Sequence, residues 1–311
     1  MTSAIEVSGL QYRAGPGFSL TGVSLAVPTG SIYGFLGPNG SGKTTTIRLL
    51  LGHLRADAGT IQVLGESVPK NAERVLARIG YVPERPHLYG TLRVEEAIQY
   101  HASFYPTWDA GLAAELQRAF RLNGAMVLSR LSKGELGKLM MLLALSQRPE
   151  LLVLDEPTDG LDPAARREVL SALVEFVAQR TATVFISSHL VHELERICDR
   201  VAILDGGRVV SELPIDILKS GMKRLRVAGV PRMLPAPPFT ILTRDLEVAG
   251  SETWAVQNWQ TQHAEWLLEN GITLREVIDL DLEEGFVALL QSRAVLAQPA
   301  SDSSDFARLS T

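Results

Sequence analysis

Two hydrophobic rhythms alternate along the chain. Near the N-terminus the apolar residues recur every second position, as in Ile5-Glu6-Val7, Val23-Ser24-Leu25-Ala26-Val27 and Thr60-Ile61-Gln62-Val63-Leu64. That is the pattern of strands with one buried face. Ile32 to Leu36, Leu151 to Leu154 and Thr183 to Ser187 are instead almost continuously apolar, as strands buried on both faces are. Helical spacing governs Thr44 to Leu51 and the long stretch from about Val94 to Gln147, where Leu136, Leu139, Met140 and Leu143 share a face. A further helix is expected from Pro163 to about Arg180, with Leu170, Leu173, Val174 and Val177 on one side, and a hairpin across 201–210. Continuous apolar strands alternating with helices predict an α/β protein with a parallel sheet covered on both faces.

After about Lys219 the character changes. Pro231, Pro235, Pro237 and Pro238 interrupt segments that otherwise alternate, such as Leu246-Glu247-Val248 and Thr253-Trp254-Ala255-Val256. Residues 1–220 therefore form one domain, with a helical part at about 85–150. A small α+β appendage follows at 221–295 and ends in a helix over Leu282–Leu290. The segment 296–311, rich in Ser, Asp and Ala, is expected to be disordered.

Composition narrows the picture only a little. With 46% hydrophobic and 21% charged residues, the chain is that of a soluble globular protein. Its longest apolar runs fall well short of the roughly 20 residues that cross a bilayer. The start, Met1 to Glu6, has neither a basic region nor an apolar signal core, so a cytosolic location is expected. A net charge of −5 argues against a nucleic-acid partner. The single cysteine, Cys198, excludes an internal disulfide and a Cys-rich metal site, and its apolar surroundings predict a buried, inert thiol.

The chemistry concentrates in Gly37-Pro38-Asn39-Gly40-Ser41-Gly42-Lys43-Thr44-Thr45, which fits the phosphate-binding P-loop. It stands between a strand-like and a helix-like run, the context the motif requires. Gly37, Gly40 and Gly42 let the backbone fold round an anion, and the amides of Asn39, Ser41 and Thr45 lie in the same turn. The helix beginning near Lys43 adds the positive end of its dipole. Lys43 supplies a point charge for the β- and γ-phosphates, and Thr44 a hydroxyl for Mg²⁺. A glycine-rich turn that merely caps a helix explains neither the Lys-Thr pair nor the flanking elements. A second clue is Leu151-Leu152-Val153-Leu154-Asp155-Glu156-Pro157. A carboxylate ending a buried strand beside a P-loop, Asp155, is placed for the Mg²⁺ shell. Glu156, where the chain leaves the strand, is placed to polarise a water for attack on the γ-phosphorus.

With these motifs in place, the chain resembles the nucleotide-binding subunit of an ATP-binding cassette (ABC) transporter over roughly residues 4–220. The resemblance implies a P-loop NTPase (RecA-like) parallel sheet, with an N-terminal antiparallel β subdomain and an inserted α-helical subdomain. Leu131-Ser132-Lys133-Gly134-Glu135 occupies the place of the signature motif, usually Leu-Ser-Gly-Gly-Gln. Ser132, Gly134 and Glu135 would then meet the γ-phosphate held by another subunit, while Ser132 and Glu135 also fit a capping box. Asp162 matches the D-loop, and both readings of it stand: a helix N-cap alone, or a cap that also touches a paired subunit. His189 matches the switch histidine that contacts the γ-phosphate. Tyr12 matches the aromatic that stacks on adenine, with Phe18 as the alternative. Glu84 stands where the family has its Q-loop glutamine; a carboxylate there can still ligate Mg²⁺ but cannot donate a hydrogen bond when ionised.

The Glu84 loop, Leu-Ser-Lys-Gly, Phe104 to Asp109 and Asp281 to Phe286 resemble exporter-type subunits of antibiotic-efflux and multidrug transporters. The resemblance implies an ATPase using ATP and Mg²⁺. It would work in a head-to-tail pair with a copy of itself or a paralogous subunit, attached to the inner face of the cell membrane through an integral membrane permease. Tyr89, Tyr100, Phe104, Tyr105 and Trp108 fit either a docking surface for that permease or a helical core. Two rivals stay open: a soluble ABC ATPase acting on ribosomes or DNA, and a regulatory ATP-binding module with weak hydrolysis, the latter encouraged by Glu84, Lys133 and Glu135.

Overall fold

The computed structural model describes residues 2–179, 182–216, 221–247 and 250–297. The expected helix end at Arg180, the change of character at Lys219, Val248 and the tail from 298 onward lie outside these residues. The chain divides into two compact units, Met1–Pro214 and Ile215–Thr311.

The first unit contains two sheets. Strands β1 (Ser3–Arg13), β2 (Ser19–Pro28), β4 (Ala58–Val63) and β5 (Glu66–Val68) form an antiparallel sheet in the order β2-β1-β4-β5. The second has the order β10-β9-β3-β8-β7-β6, built from β3 (Ile32–Leu36), β6 (Ile79–Val82), β7 (Leu151–Asp155), β8 (Thr183–Ser188), β9 (Arg200–Asp205) and β10 (Arg208–Pro214). Five of these run parallel, and β10 turns back along the β9 edge. All residues of β3, β7 and β8 are buried, as their unbroken apolar sequences demand. Tyr33, Phe35 and Phe185 join the core between the two sheets, with the Tyr33 and Phe185 rings stacked at 5.8 Å.

Register sets the position of everything that follows. Leu36 pairs with Ser188, Asp155 with Ser187, and Val82 with Leu154, so β3, β8, β7 and β6 all end along one edge. The loops leaving that edge carry residues 37–42, 156–162, 189–190 and 83–85. Ligands of open α/β sheets bind at this carboxyl edge.

Helices α1 (Lys43–Leu50) and α2 (Ala72–Leu76) lie before β6. Between β6 and β7 the chain inserts α3 (Val94–Ala102), α4 (Ala110–Ala119) and α5 (Lys133–Ser146). The single apolar face expected for the last of these is too narrow: α5 is buried all round from Leu139 to Ser146, which a helix without a polar side requires. The face expected for α6 (Pro163–Gln179) is also shifted. Ala165, Val169, Leu173 and Phe176 are buried, whereas Val174 is exposed. A short helix, α7 (Val191–Leu194), follows β8. Cys198 is buried, and desolvation pushes its thiol pKa far up, so it has no thiolate chemistry.

The second unit is an antiparallel sheet ordered β12-β13-β11-β14, from β11 (Met222–Ala228), β12 (Thr240–Leu246), β13 (Ser251–Gln257) and β14 (Thr273–Asp279). Leu225, Val227, Trp254 and Val256 on one face share a core with Leu267 of α8 (His263–Glu269). The final helix, α9 (Leu282–Ala297), is longer than the span expected from sequence.

Candidate functional site

The turn after β3 is shaped by contacts that exclude side chains. A Cβ on Gly37 would stand 2.3 Å from the Leu204 carbonyl oxygen. Gly42 sits at φ 112°, where a Cβ would strike the Phe18 ring at 2.6 Å and Leu20 at 2.7 Å. Glycine is therefore obligatory at both ends; the Ser41 N–H closes the turn onto the Pro38 carbonyl at 3.1 Å, and Asn39, Gly40 and Gly42 line an open bowl. Lys43 begins α1 just beyond, only 6% exposed. Its Nζ donates to the Gly37 carbonyl at 2.6 Å and reaches the Pro38 carbonyl at 3.3 Å. It also stands 3.0 Å from Glu156 Oε1, a close ion contact lacking hydrogen-bond alignment.

Glu156 follows β7 in the left-handed region at φ 50°, a strained backbone for a non-glycine residue. The Ser187 carbonyl and hydroxyl both accept from its backbone N–H, which holds it there. The twist turns its carboxylate off the strand direction and toward the bowl. Oε2 accepts from the His189 backbone N–H at 3.3 Å and lies 2.8 Å from His189 Nδ1.

Asp155, one residue earlier, is completely buried. One oxygen accepts from the Ser187 hydroxyl at 2.7 Å, while Oδ2 has no hydrogen-bond partner. Burial raises its pKa; the hydroxyls of Ser187 and Thr44 work against that, and the nearby charges of Glu84 and Glu156 add to it. A buried carboxylate oxygen without a donor, beside a threonine hydroxyl and a second carboxylate, fits a hard divalent cation.

Lys43, Thr44, Glu84, Glu156 and His189 line a cavity of about 590 Å³, within the range for small-molecule sites, and Asp155 lines a neighbouring cavity that shares Thr44 and Glu84 with it. Asn39, Gly40, Gly42 and Thr45 of the turn and α1, Asp159 of the loop after β7, and Gly17 and Phe18 complete the lining of the Lys43 cavity. Gly37 and Ser41 do not line it; Ser41 is buried. Tyr12 does not line the cavity, because it packs against the core between the sheets. Phe18, which follows the helical turn at Gly15–Gly17 and packs against the same core, does line it.

Ser132, Gly134, Glu135 and Asp162 are also absent from this cavity and gather elsewhere. The Ser132 hydroxyl accepts from the Glu135 N–H, and Glu135 Oε2 accepts from the Ser132 N–H at 2.9 Å and its hydroxyl at 2.8 Å. This capping box opens α5 and holds the Glu135 carboxyl below its ordinary pKa. Asp162 caps α6 through the N–H groups of Ala164 and Ala165, which lower its pKa too. The two helix starts adjoin: a Cβ on Gly134 would stand 3.3 Å from Ala165 Cβ and 3.5 Å from Asp162 Oδ2. Lys133 reaches Asp159 at 3.1 Å, and thus ties this second cluster to a residue of the cavity wall.

Two further participants escape the sequence patterns. Asp159 shows only as one acid in a loop. Glu193 is buried four positions after His189; its one signal was a charge among apolar residues of a short helix, Val191-His192-Glu193-Leu194.

Comparison with known proteins agrees with this geometry. The ABC transporter family pattern matches residues 20–159. The bacitracin transport ATP-binding protein BcrA of Bacillus licheniformis is 36% identical over 221 residues, covering 70% of this chain and 72% of that protein. The Nod factor export ATP-binding protein I of Ralstonia nicotianae is 36% identical, covering 68% and 67%. Among solved structures, the ATP-binding subunit of an ABC transporter superposes with a TM-score of 0.63 at 31% identity, over 70% of this chain and 92% of the other.

Proposed function

The chain belongs to the ABC transporter family as an ATP-binding subunit, and we propose that it hydrolyses Mg·ATP in the Lys43 cavity to drive export through a separate membrane permease. The observation that carries this reading is the convergence of Lys43, Glu156, His189 and the partnerless Asp155 oxygen at one sheet edge.

Lys43 and the amides of the 37–42 turn bind the terminal phosphates electrostatically. Asp155, Thr44 and Glu84 would hold Mg²⁺, which when bound neutralises charge on the phosphate oxygens. Lys43 faces two rival anions, Glu156 and a phosphate. A γ-phosphate contact at Lys43 releases one oxygen of Glu156 to accept the proton of an attacking water. His189, hydrogen-bonded to the other oxygen, keeps that carboxylate aimed. Phe18 offers a flat apolar face for the base, with little selectivity.

The Ser132–Glu135 cluster lies outside the cavity, which supports a head-to-tail pair in which each chain supplies its signature helix to the other's nucleotide. Among the described residues no helix is long and apolar enough to cross a membrane; the relatives' names as ATP-binding proteins of transport systems support a separate permease subunit. Tyr89, in the loop before α3, Tyr100 on α3 and Phe104 in the turn after it are exposed and form an edge-to-face ladder, with ring centroids 6.0 and 5.0 Å apart. We assign this surface to permease docking, which places the subunit on the inner face of the membrane. The names of the relatives, bacitracin transport and Nod factor export, support a drug-like or antibiotic cargo.

The test is phosphate release by the purified chain, with light scattering of a Glu156→Gln variant in Mg·ATP. Steady release and an ATP-dependent doubling of mass are expected. Absence of release overturns the ATPase reading, and a mass unchanged by ATP overturns the pairing.

A further inference from the structure

Glu193 is 4% exposed, and a carboxylate so placed is costly unless its oxygens are matched. Both are. The hydroxyl of Thr158, itself buried, donates to Oε2 in a short hydrogen bond. Nε of Arg166 stands 2.8 Å from Oε1, an ion contact off the ideal hydrogen-bond direction. These partners come from three different segments. Glu193 lies on α7, which starts two residues after His189. Thr158 lies two residues after Glu156. Arg166 lies on the first turn of α6, where its N–H donates to the carbonyl of Asp162 at 3.0 Å.

The contacts close a ring. Glu156 is bonded to His189, His189 leads into α7, Glu193 on α7 is bonded to Thr158, and Thr158 leads back to Glu156. Arg166 adds a branch to the Asp162 cap. The loop 157–162 is also fastened on its other side by the Lys133–Asp159 pair. That pair is half-exposed and worth at most ~1 kcal/mol. Glu193, buried with one oxygen hydrogen-bonded to Thr158 and the other against Arg166, is therefore the stiffer connection.

We propose that Glu193 is a positioning residue that makes the His189 segment and the Thr158–Asp162 loop move as one piece during the ATP cycle. The proposal rests on the ATPase reading above. In that reading His189 aims the Glu156 carboxylate, while Asp162 adjoins the Gly134 helix start that is offered to the paired chain. Glu193 is the side chain that joins them within one subunit. It does not line the Lys43 cavity, so its effect falls on the rate of the committed step and spares ATP capture.

The experiment compares steady-state kinetics of the parent, Glu193→Gln, Thr158→Val, Thr158→Ser and the Glu193→Gln/Thr158→Val double variant, with Glu156→Gln alongside. Glu193→Gln keeps the side chain's size and an acceptor for Thr158 but loses the charge facing Arg166. Thr158→Val keeps shape but loses the hydroxyl, so folding is preserved even where a truncation of Glu193 would not be tolerated. Each is expected to lower kcat about tenfold through misplacement of catalytic groups, with the KM for ATP unchanged. Thr158→Ser is expected to restore the parental kcat, and the double variant to be no slower than the slower single one. Parental kcat in both singles, multiplying losses in the double, equal losses in Thr158→Ser and Thr158→Val, or a raised KM with normal kcat overturns the proposal. Hydrolysis at the parental rate by Glu156→Gln would instead overturn the site reading, and this proposal with it.

Discussion

Each unit buries carboxylates, but on different terms. In the C-terminal unit Glu252, 8% exposed, is fully matched: Arg244 donates through Nε and Nη2, and the indole N–H of buried Trp254 donates at 2.6 Å. The Arg244 guanidinium also stands over the Trp254 ring at 5.3 Å. Nothing about Glu252 is left over for a ligand. At the sheet edge of the first unit, Asp155 keeps an oxygen without a donor and Glu156 is held in strained backbone; Glu156 lines the Lys43 cavity and Asp155 a neighbouring one that shares Thr44 and Glu84 with it. A buried charge with every atom satisfied stabilises a fold. A buried charge with atoms in reserve at an open cavity is equipped for chemistry.

Substitutions in the two units sharpen that contrast. Lys43→Ala should have the largest effect. Removing a charged donor from the phosphates is worth ~1.5–3 kcal/mol, or about 10- to 100-fold in Mg·ATP affinity by calorimetry. An unchanged affinity would remove the first unit's claim to be different. Glu252→Ala should act the opposite way. It leaves the Trp254 N–H buried without an acceptor, which costs about 2 kcal/mol of unfolding free energy by denaturant titration. Phosphate release per folded molecule should stay at the parental level; a lowered kcat would give Glu252 a functional part and blur the comparison. The smallest effect belongs to a pair that is neither buried nor catalytic, Arg78 with Glu150 at 2.6 Å. Glu150→Gln should cost less than ~1 kcal/mol, because both side chains are well exposed. Arg78 holds the Glu150 carboxyl below its ordinary pKa, so this contribution is present above the usual carboxylate range and lost as pH falls through the lowered value. Parent and variant should therefore converge in acid, and a gap that widens there would contradict the pairing.

The first unit was legible in the sequence because its chemistry is local. The Gly37–Thr45 turn is contiguous, Asp155 and Glu156 end an unmistakable strand, and the Ser132–Glu135 box closes within one helical turn. Legibility failed where contacts are distant. Tyr12 and Phe18 are equivalent as aromatics near a turn, and only the fold back of Phe18 onto Gly42 separates them. Glu193 needed the meeting of α7 with the loop after β7 to acquire a meaning. In the C-terminal unit, β11 pairs with β14 across Lys223 and Asp279, and with β13 across Leu225 and Trp254. Alternation announces such strands but not their neighbours, because the side-chain period is the same whichever strand lies alongside.

The central claim is that Glu156 serves the attacking water and Lys43 holds the phosphates of the same nucleotide. One paired measurement tests it: Mg·ATP binding and phosphate release by Glu156→Gln beside the parent. Undiminished binding is expected, with release slowed at least about a hundredfold, the usual worth of a general base. Release at the parental rate from a variant that still binds Mg·ATP would contradict it.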